Sequence, residues 1–162
     1  MNSSAFGDIT RRDAERHILV AVDESENSKR AVMYLADFFT ECNDVFVTLL
    51  TIIPEPSEDF FPTKAEREEW LKRKKEAMRK KLEDYRQILL SGRFKEGQIE
   101  TELSVRQCTS IADAILEEQD KLRCCIVVVG RRGISHNEEF VFGSTSNGIL
   151  HHARNCAVMV VE

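Results

Sequence analysis

The stretch Cys124-Cys125-Ile126-Val127-Val128-Val129-Gly130-Arg131-Arg132-Gly133 decides how this chain folds. Its first six residues form an apolar run of strand length that ends in glycine, with no polar residue at either alternate position. Such a run reads as a β-strand buried on both faces, which is the signature of a parallel sheet sandwiched between helices. Working outward, further apolar runs at residues 17–22, 45–53, 99–105 and 156–161 raise the strand segments to five. Helical stretches separate them at 28–40, 64–90, 111–122 and 144–153, the first carrying Ala31, Leu35, Phe38 and Phe39 on one face. Strict βαβαβαβαβ alternation predicts parallel strands joined by right-handed crossovers. The expected fold is therefore α/β, a single doubly wound domain whose five-stranded parallel sheet has the order 3-2-1-4-5 and helices on both faces. In the third run Ile99, Leu103 and Val105 alternate with Thr101 and Ser104, the pattern of an edge strand.

The composition fits one such domain. The 162 residues match the usual ~100–200 per domain, and 42% hydrophobic with 31% charged residues is ordinary globular usage. With 28 acidic against 23 basic residues the formal charge is −5, which argues against nucleic acid or an anionic membrane as the main partner. No apolar run approaches the ~20 residues of a membrane helix, and the first sixteen residues are too polar for a signal peptide, so a cytoplasmic location is expected. Residues 1–15 read as a flexible arm and 16–162 as the folded domain. The five cysteines are odd in number and form no C-x-x-C pair, which speaks against a disulfide framework or zinc knuckle. Cys124 and Cys125, leading into the central strand, read as buried thiols.

The basic runs Lys72-Arg73-Lys74-Lys75 and Arg79-Lys80-Lys81 lie on the second helical stretch, where Leu71, Met78, Leu82, Tyr85 and Leu89 make a single apolar stripe. Acidic neighbours such as Glu66, Glu69, Glu76 and Glu83 offset their charge, so these lysines read as a solvated helix face. The proline-bearing segment 54–62 before them is a loop.

Ligands of open parallel sheets bind beyond the carboxyl ends of the strands, where the winding reverses. For the order 3-2-1-4-5 that point lies between the first and fourth strands, which end in Val22-Asp23 and Val129-Gly130. The fourth strand opens into Gly130-Arg131-Arg132-Gly133, and nine residues later comes Gly143-Ser144-Thr145-Ser146. Glycine permits positive φ and close approach of a ligand, and Gly143-Ser144 precedes a helix whose first N–H groups lack internal partners. An anion fits that end, with hydroxyls from Ser144, Thr145 and Ser146 and charge neutralisation from Arg131 or Arg132. Asp23 is placed to accept from ribose hydroxyls. Taken singly, the glycines also read as a turn before a helix, and Asp23 as an Asx turn or helix cap. Neither G-x-x-x-x-G-K-[ST] nor G-x-G-x-x-G occurs, so P-loop hydrolysis and dinucleotide binding are not supported.

The spacing Gly130-x2-Gly133-x9-Gly143-Ser144 matches every fixed position of the G-x2-G-x9-G-[ST] motif of the universal stress proteins, and the chain resembles the ATP-binding branch of that family. The resemblance runs from about residue 16 to 162 and includes His17-Ile18-Leu19-Val20-Ala21-Val22-Asp23 and Asn155-Cys156-Ala157-Val158-Met159-Val160-Val161. It implies an adenine nucleotide, ATP with Mg²⁺, held by Asp23, Ile52, Gly130, Arg132, Gly133, Gly143, Ser144 and Thr145, with Val22, Arg131 and Ser146 beside them. The chain departs from the family at Val105-Arg106-Gln107-Cys108-Thr109, where Gly and Pro are common, and at Cys156-Ala157, where Cys-Pro is common.

The resemblance also implies a nucleotide-dependent stress-response module that acts through an unknown protein partner and has no settled catalytic reaction. Two alternatives stay open: a slow ATPase or autokinase with Ser144 or Thr145 as acceptor, and a nucleotide-free dimerisation domain. A homodimer through Ala157–Val161 is expected, since that strand is apolar on both faces yet falls at a sheet edge. His151, His152 and Cys156 read as a polar helix end rather than metal ligands, and Trp70 as a packing residue. His136, Asn137, Glu138 and Glu139 read as a polar loop within reach of a phosphate-bound Mg²⁺.

Overall fold

The computed structural model describes residues 16–131 and 143–162. Nine elements follow in chain order: β1 (Arg16–Ala21), α1 (Glu26–Phe38), β2 (Val45–Pro54), α2 (Lys64–Ser91), β3 (Ile99–Arg106), α3 (Ile111–Leu122), β4 (Ile126–Gly130), α4 (Ser144–His152) and β5 (Ala157–Val161). Short 3₁₀ turns at Glu58–Phe60 and Glu96–Gln98 interrupt the connections before α2 and β3. The strands form one parallel sheet of order β3-β2-β1-β4-β5, as the sequence pattern predicts.

Burial explains the order. Ile18 to Val20 of β1 and Val127 and Val128 of β4 are fully buried, because helices cover both faces of the central strands. On one face Ile18, Val20, Val47, Leu49 and Val128 meet Ala31, Val32 and Leu35 of α1 and Leu82, Tyr85 and Leu89 of α2. On the other, Leu19, Leu50, Val127 and Val129 meet Ala112 and Ile115 of α3 and Ile149 of α4. The stripe expected on the long helix is present: Met78, Leu82, Tyr85 and Leu89 are its buried residues, while none of the lysines and arginines of the basic runs is buried. Trp70 is half-buried against Phe61, with ring centroids 5.7 Å apart.

Most element boundaries lie within one or two residues of the sequence expectation, and three of the shifted starts have a local reason. The first helix starts at Glu26 rather than residue 28 because Ser25 caps it, its Oγ accepting the Ser28 N–H at 3.2 Å. The fourth strand starts at Ile126 rather than Cys124 because Arg123 closes α3 in the left-handed region, with φ 50° and ψ 44°. Cys124 then lies buried below the ladder, and Cys125 is half-exposed rather than buried. The last strand starts at Ala157 because Asn155 also has positive φ, 56°. The expected N-terminal arm, residues 1–15, lies outside the described residues.

Core and surface aromatic or aliphatic positions should respond very differently to truncation. Leu49→Ala removes a side chain with no exposed surface and should cost about 2–5 kcal/mol. Phe38→Ala, at a position 63% exposed, should stay within about 0.5 kcal/mol of the parent. Urea unfolding checks both, and equal costs would contradict this assignment of the core.

Candidate functional site

The pairing of β1 with β4 runs from Ile18↔Ile126 to Ala21↔Val129, so Val22 and Gly130 emerge side by side where the sheet changes winding direction. A cleft of about 500 Å³, including its open mouth, lies beyond these ends. Its floor is Ala21, Val22, Val129 and Gly130, its apolar wall is Ile52, Ile111 and Ile115, and its polar rim is Asp23, Ser28 and Thr145. That size and mixture suit a small organic ligand.

Asp23 is held from several sides. Its Oδ1 accepts the Ser25 N–H at 2.9 Å and the Ser28 hydroxyl at 2.8 Å, while its own N–H donates to Ser28 Oγ at 2.9 Å. The Asx turn among the sequence readings is therefore present. Oδ2 has no partner among the described residues, so the same carboxylate keeps one oxygen for a ligand hydroxyl. Below it, the Tyr85 hydroxyl of α2 donates to the Asp23 carbonyl at 2.7 Å, and Thr51 Oγ1 donates to the Val22 carbonyl at 2.9 Å. Burial, with Asp23, Glu26, Glu24 and Asp84 nearby, pushes the Tyr85 phenol well above its ordinary range, so it stays a proton donor throughout the neutral range.

Gly130 is needed for a reason the sequence reading did not give. A Cβ there would lie 2.8 Å from the backbone carbon and the Cβ of Asn27, so the first turn of α1 sits directly on the glycine. The requirement is helix-to-strand contact and does not arise from a positive φ. Gly143 is the N-cap position of α4 with φ −64° and ψ 161°. Its N–H donates to the Arg131 carbonyl at 2.8 Å, and the buried Ser146 hydroxyl donates to the carbonyls of Arg131 at 2.7 Å and Gly143 at 3.1 Å. These bonds pin the start of α4 to the end of β4. The N–H groups of Ser144, Thr145 and Ser146 find no acceptor among the described residues, leaving the helix N-terminus open to an anion.

Of the residues expected at a site, Val22, Asp23, Ile52, Gly130 and Thr145 line this one cleft, and Gly143, Ser144 and Ser146 form the helix start beside it. Ser146 spends its hydroxyl on the loop ends, and Ser144 is exposed. Arg131 points elsewhere: its guanidinium pairs with Glu162 beyond β5, and it does not line the cleft. Arg132, Gly133 and the polar loop with His136, Asn137, Glu138 and Glu139 lie outside the described residues. The sequence reading missed Ser28, Tyr85, Ile111 and Ile115. Ile111 carried a signal, an isoleucine opening a helix and left 37% exposed, whereas Tyr85 was hidden inside an ordinary apolar stripe. In the segment 105–109, Arg106 ties β3 to α3 through Glu117 and Glu118 at 2.8 and 2.9 Å. His151 and His152 are exposed, His152 lying 3.6 Å from Asp113, and no metal-holding group of three His, Cys, Asp or Glu occurs among the described residues.

Strand order, parallel pairing and a cleft at the reversal define a doubly wound α/β domain. The family model described as the universal stress protein family matches residues 15–162, and the chain belongs to that family. Comparison with curated proteins finds no match. Among solved structures, the hypothetical protein MJ0577 is similar with a TM-score of 0.76 and 22% identity, covering 91% of this chain and 96% of its own. A universal stress protein in complex with cAMP gives a TM-score of 0.67 and 21% identity over 92% of this chain and 98% of its own. The universal stress protein from Archaeoglobus fulgidus in complex with dAMP gives 0.61 and 21% over 92% and 99%.

The bond from Tyr85 to the Asp23 carbonyl yields a pH-dependent prediction. The folded phenol keeps its proton to higher pH than the unfolded one, so its stabilisation is full below about pH 10 and is lost as pH rises above that value. Tyr85→Phe should therefore cost about 1 kcal/mol near neutrality. The gap to the parent should close by up to ~1.4 kcal/mol per pH unit above pH ~10. Urea unfolding of both proteins across pH 7 to 11 checks this, and a pH-independent gap would contradict it.

Proposed function

We propose that the cleft binds an adenine nucleotide, with ATP as its principal ligand, and that occupancy regulates a cytoplasmic stress-response module. The observation that carries this reading is the convergence, at one sheet reversal, of a carboxylate with a free Oδ2 and a helix start with three open N–H groups. The ribose hydroxyls bond Asp23 Oδ2, the phosphates meet the N–H groups of Ser144 to Ser146, and the base rests against Ile52, Ile111 and Ile115. Mg²⁺ accompanies the triphosphate, held mainly by phosphate oxygens and water. The complexes of family relatives with cAMP and dAMP support an adenine ligand. Asp23 is the one titratable side chain lining the cleft among the described residues, which favours binding over turnover.

The module acts as a homodimer through Ala157–Val161. That strand pairs with β4 on one side and has no strand partner on the other among the described residues, while Val158 and Val160 pack on one face of the sheet and Met159 and Val161 on the other.

Calorimetry with ATP, ADP, AMP and GTP tests the ligand. Asp23→Ala should weaken ATP roughly ten- to hundredfold by removing one charged hydrogen bond, yet still distinguish ATP from AMP. Gly143→Val, whose branched side chain stands where phosphate meets the helix start, should abolish ATP and ADP binding. Undetectable ATP binding by folded parent protein at millimolar nucleotide would overturn the proposal. For the dimer, sedimentation should show the parent as a dimer and Val160→Lys as a monomer, and a parent that is monomeric at micromolar concentration would refute it.

A further inference from the structure

At the end of the sheet opposite the cleft, two cysteines stand next to each other on neighbouring strands. The β4–β5 ladder pairs Ile126 with Ala157, and the Ala157 N–H donates to the Cys125 carbonyl at 2.9 Å, so the ladder's next register step sets Cys125 beside Cys156. Parallel neighbours in register project to the same face. Val127 and Val129 of β4, and Val158 and Val160 of β5, lie on the α3 and α4 face, and Cys156 packs with them. Adjacent strands run about 4.8 Å apart, inside the Cα separation a disulfide spans. Both thiols are free and partly exposed. The other three cysteines are placed differently: Cys124 is buried, Cys42 packs on the opposite face of the sheet, and Cys108 sits before α3.

We infer that Cys125 and Cys156 are a reversible dithiol–disulfide pair, oxidised by peroxides or by small-molecule disulfides and reopened by thiols. The Cys156 thiol makes no hydrogen bond among the described residues, whereas the Cys125 thiol donates to the His17 carbonyl at 3.2 Å, so Cys156 is the attacking sulfur and Cys125 the resolving one. The Cys156 thiolate attacks one oxygen of hydrogen peroxide, the O–O bond breaks with its electron pair leaving on hydroxide, and a sulfenic acid forms. The Cys125 sulfur then attacks the sulfenic sulfur and displaces its hydroxyl. Two thiols lose two electrons and two protons, and the peroxide becomes two waters. Burial pushes both thiols above the ordinary cysteine range, so the thiolate is scarce at neutral pH and the bond closes slowly. The device therefore answers sustained oxidation rather than brief pulses. Closure ties the edge strand β5 to β4 and encloses the segment carrying Gly130 and Gly143 in one covalent loop. A disulfide made between strands already hydrogen-bonded, at an exposed sheet end, belongs to the labile, regulatory kind.

The test treats the full chain with hydrogen peroxide, and separately with oxidised glutathione, alkylates the remaining thiols and maps peptides by mass spectrometry. The expected result is a Cys125–Cys156 cross-link that dithiothreitol removes, accompanied by a rise in melting temperature of roughly 5–10 °C. Cys156→Ser and Cys156→Ala should both abolish the cross-link and the shift, while Cys42→Ser and Cys108→Ser retain them. Failure of the parent protein, folded by circular dichroism, to form this bridge under either oxidant would overturn the inference. A bridge from Cys156 to Cys124 instead would do the same. The readout needs no nucleotide, so its outcome is separate from that of the proposed ATP site.

Discussion

Everything at the cleft end of this protein depends on the parallel pairing of β1 with β4. Four register pairs, Ile18↔Ile126 to Ala21↔Val129, join two segments more than a hundred residues apart in sequence, and every residue of these pairs except Ile126 is buried. Because β2 flanks β1 and β5 flanks β4, this is the seam where the crossovers change direction. The two strands end at the same height, which brings Asp23 and Gly130 together and opens a cleft that no single strand–helix unit contains. Gly130 sets how closely the halves approach. A side chain there would collide with Asn27 at the start of α1, moving that helix away from the sheet.

The same seam shows why most of the fold was legible in the sequence. Strands buried on both faces must be nearly all apolar, so the runs at residues 17–22 and 124–129 announce themselves, and strict alternation with amphipathic helices leaves few topologies open. Element ends were less legible, because they turn on single residues. Ser25 caps α1 through its hydroxyl, and Arg123 and Asn155 adopt left-handed conformations that neither residue type makes obligatory. The candidate site was legible where position along the chain marks it, as at Gly143, which precedes a helix start, and at Asp23, which follows a buried run. It was illegible where a residue acts through tertiary reach. Tyr85 lies sixty-two positions from Asp23, and nothing in a stripe of apolar residues reveals that one hydroxyl bonds the carbonyl beneath the carboxylate. Arg131 shows the converse. A cation beside a glycine motif invites a phosphate role, but the chain turns its guanidinium to Glu162.

The cleft combines anchoring with economy of reactive groups. Asp23 is fixed by three hydrogen bonds of its own and by Tyr85 below, so its free oxygen is preorganised and little entropy is lost when a ligand hydroxyl arrives. The start of α4 is fixed equally firmly by Ser146 and the Arg131 carbonyl. Two rigid polar ends flank an apolar wall, an arrangement suited to gripping an elongated molecule with hydroxyls at its middle and negative charge at one end. The Cys125 and Cys156 thiols lie at the far end of the same strands, so nucleotide occupancy and thiol oxidation would act on one sheet from opposite sides.

The most direct test of the central claim asks which residues feel the nucleotide. Titration of isotopically labelled protein with ATP, followed by backbone amide NMR, reports this residue by residue. The account predicts the largest shifts at Val22, Asp23, Gly130 and Ser144 to Ser146, with smaller ones at Ile111 and Ile115 and none at the Cys125–Cys156 end. Saturable shifts confined to another surface, or no shift at millimolar ATP, would contradict it.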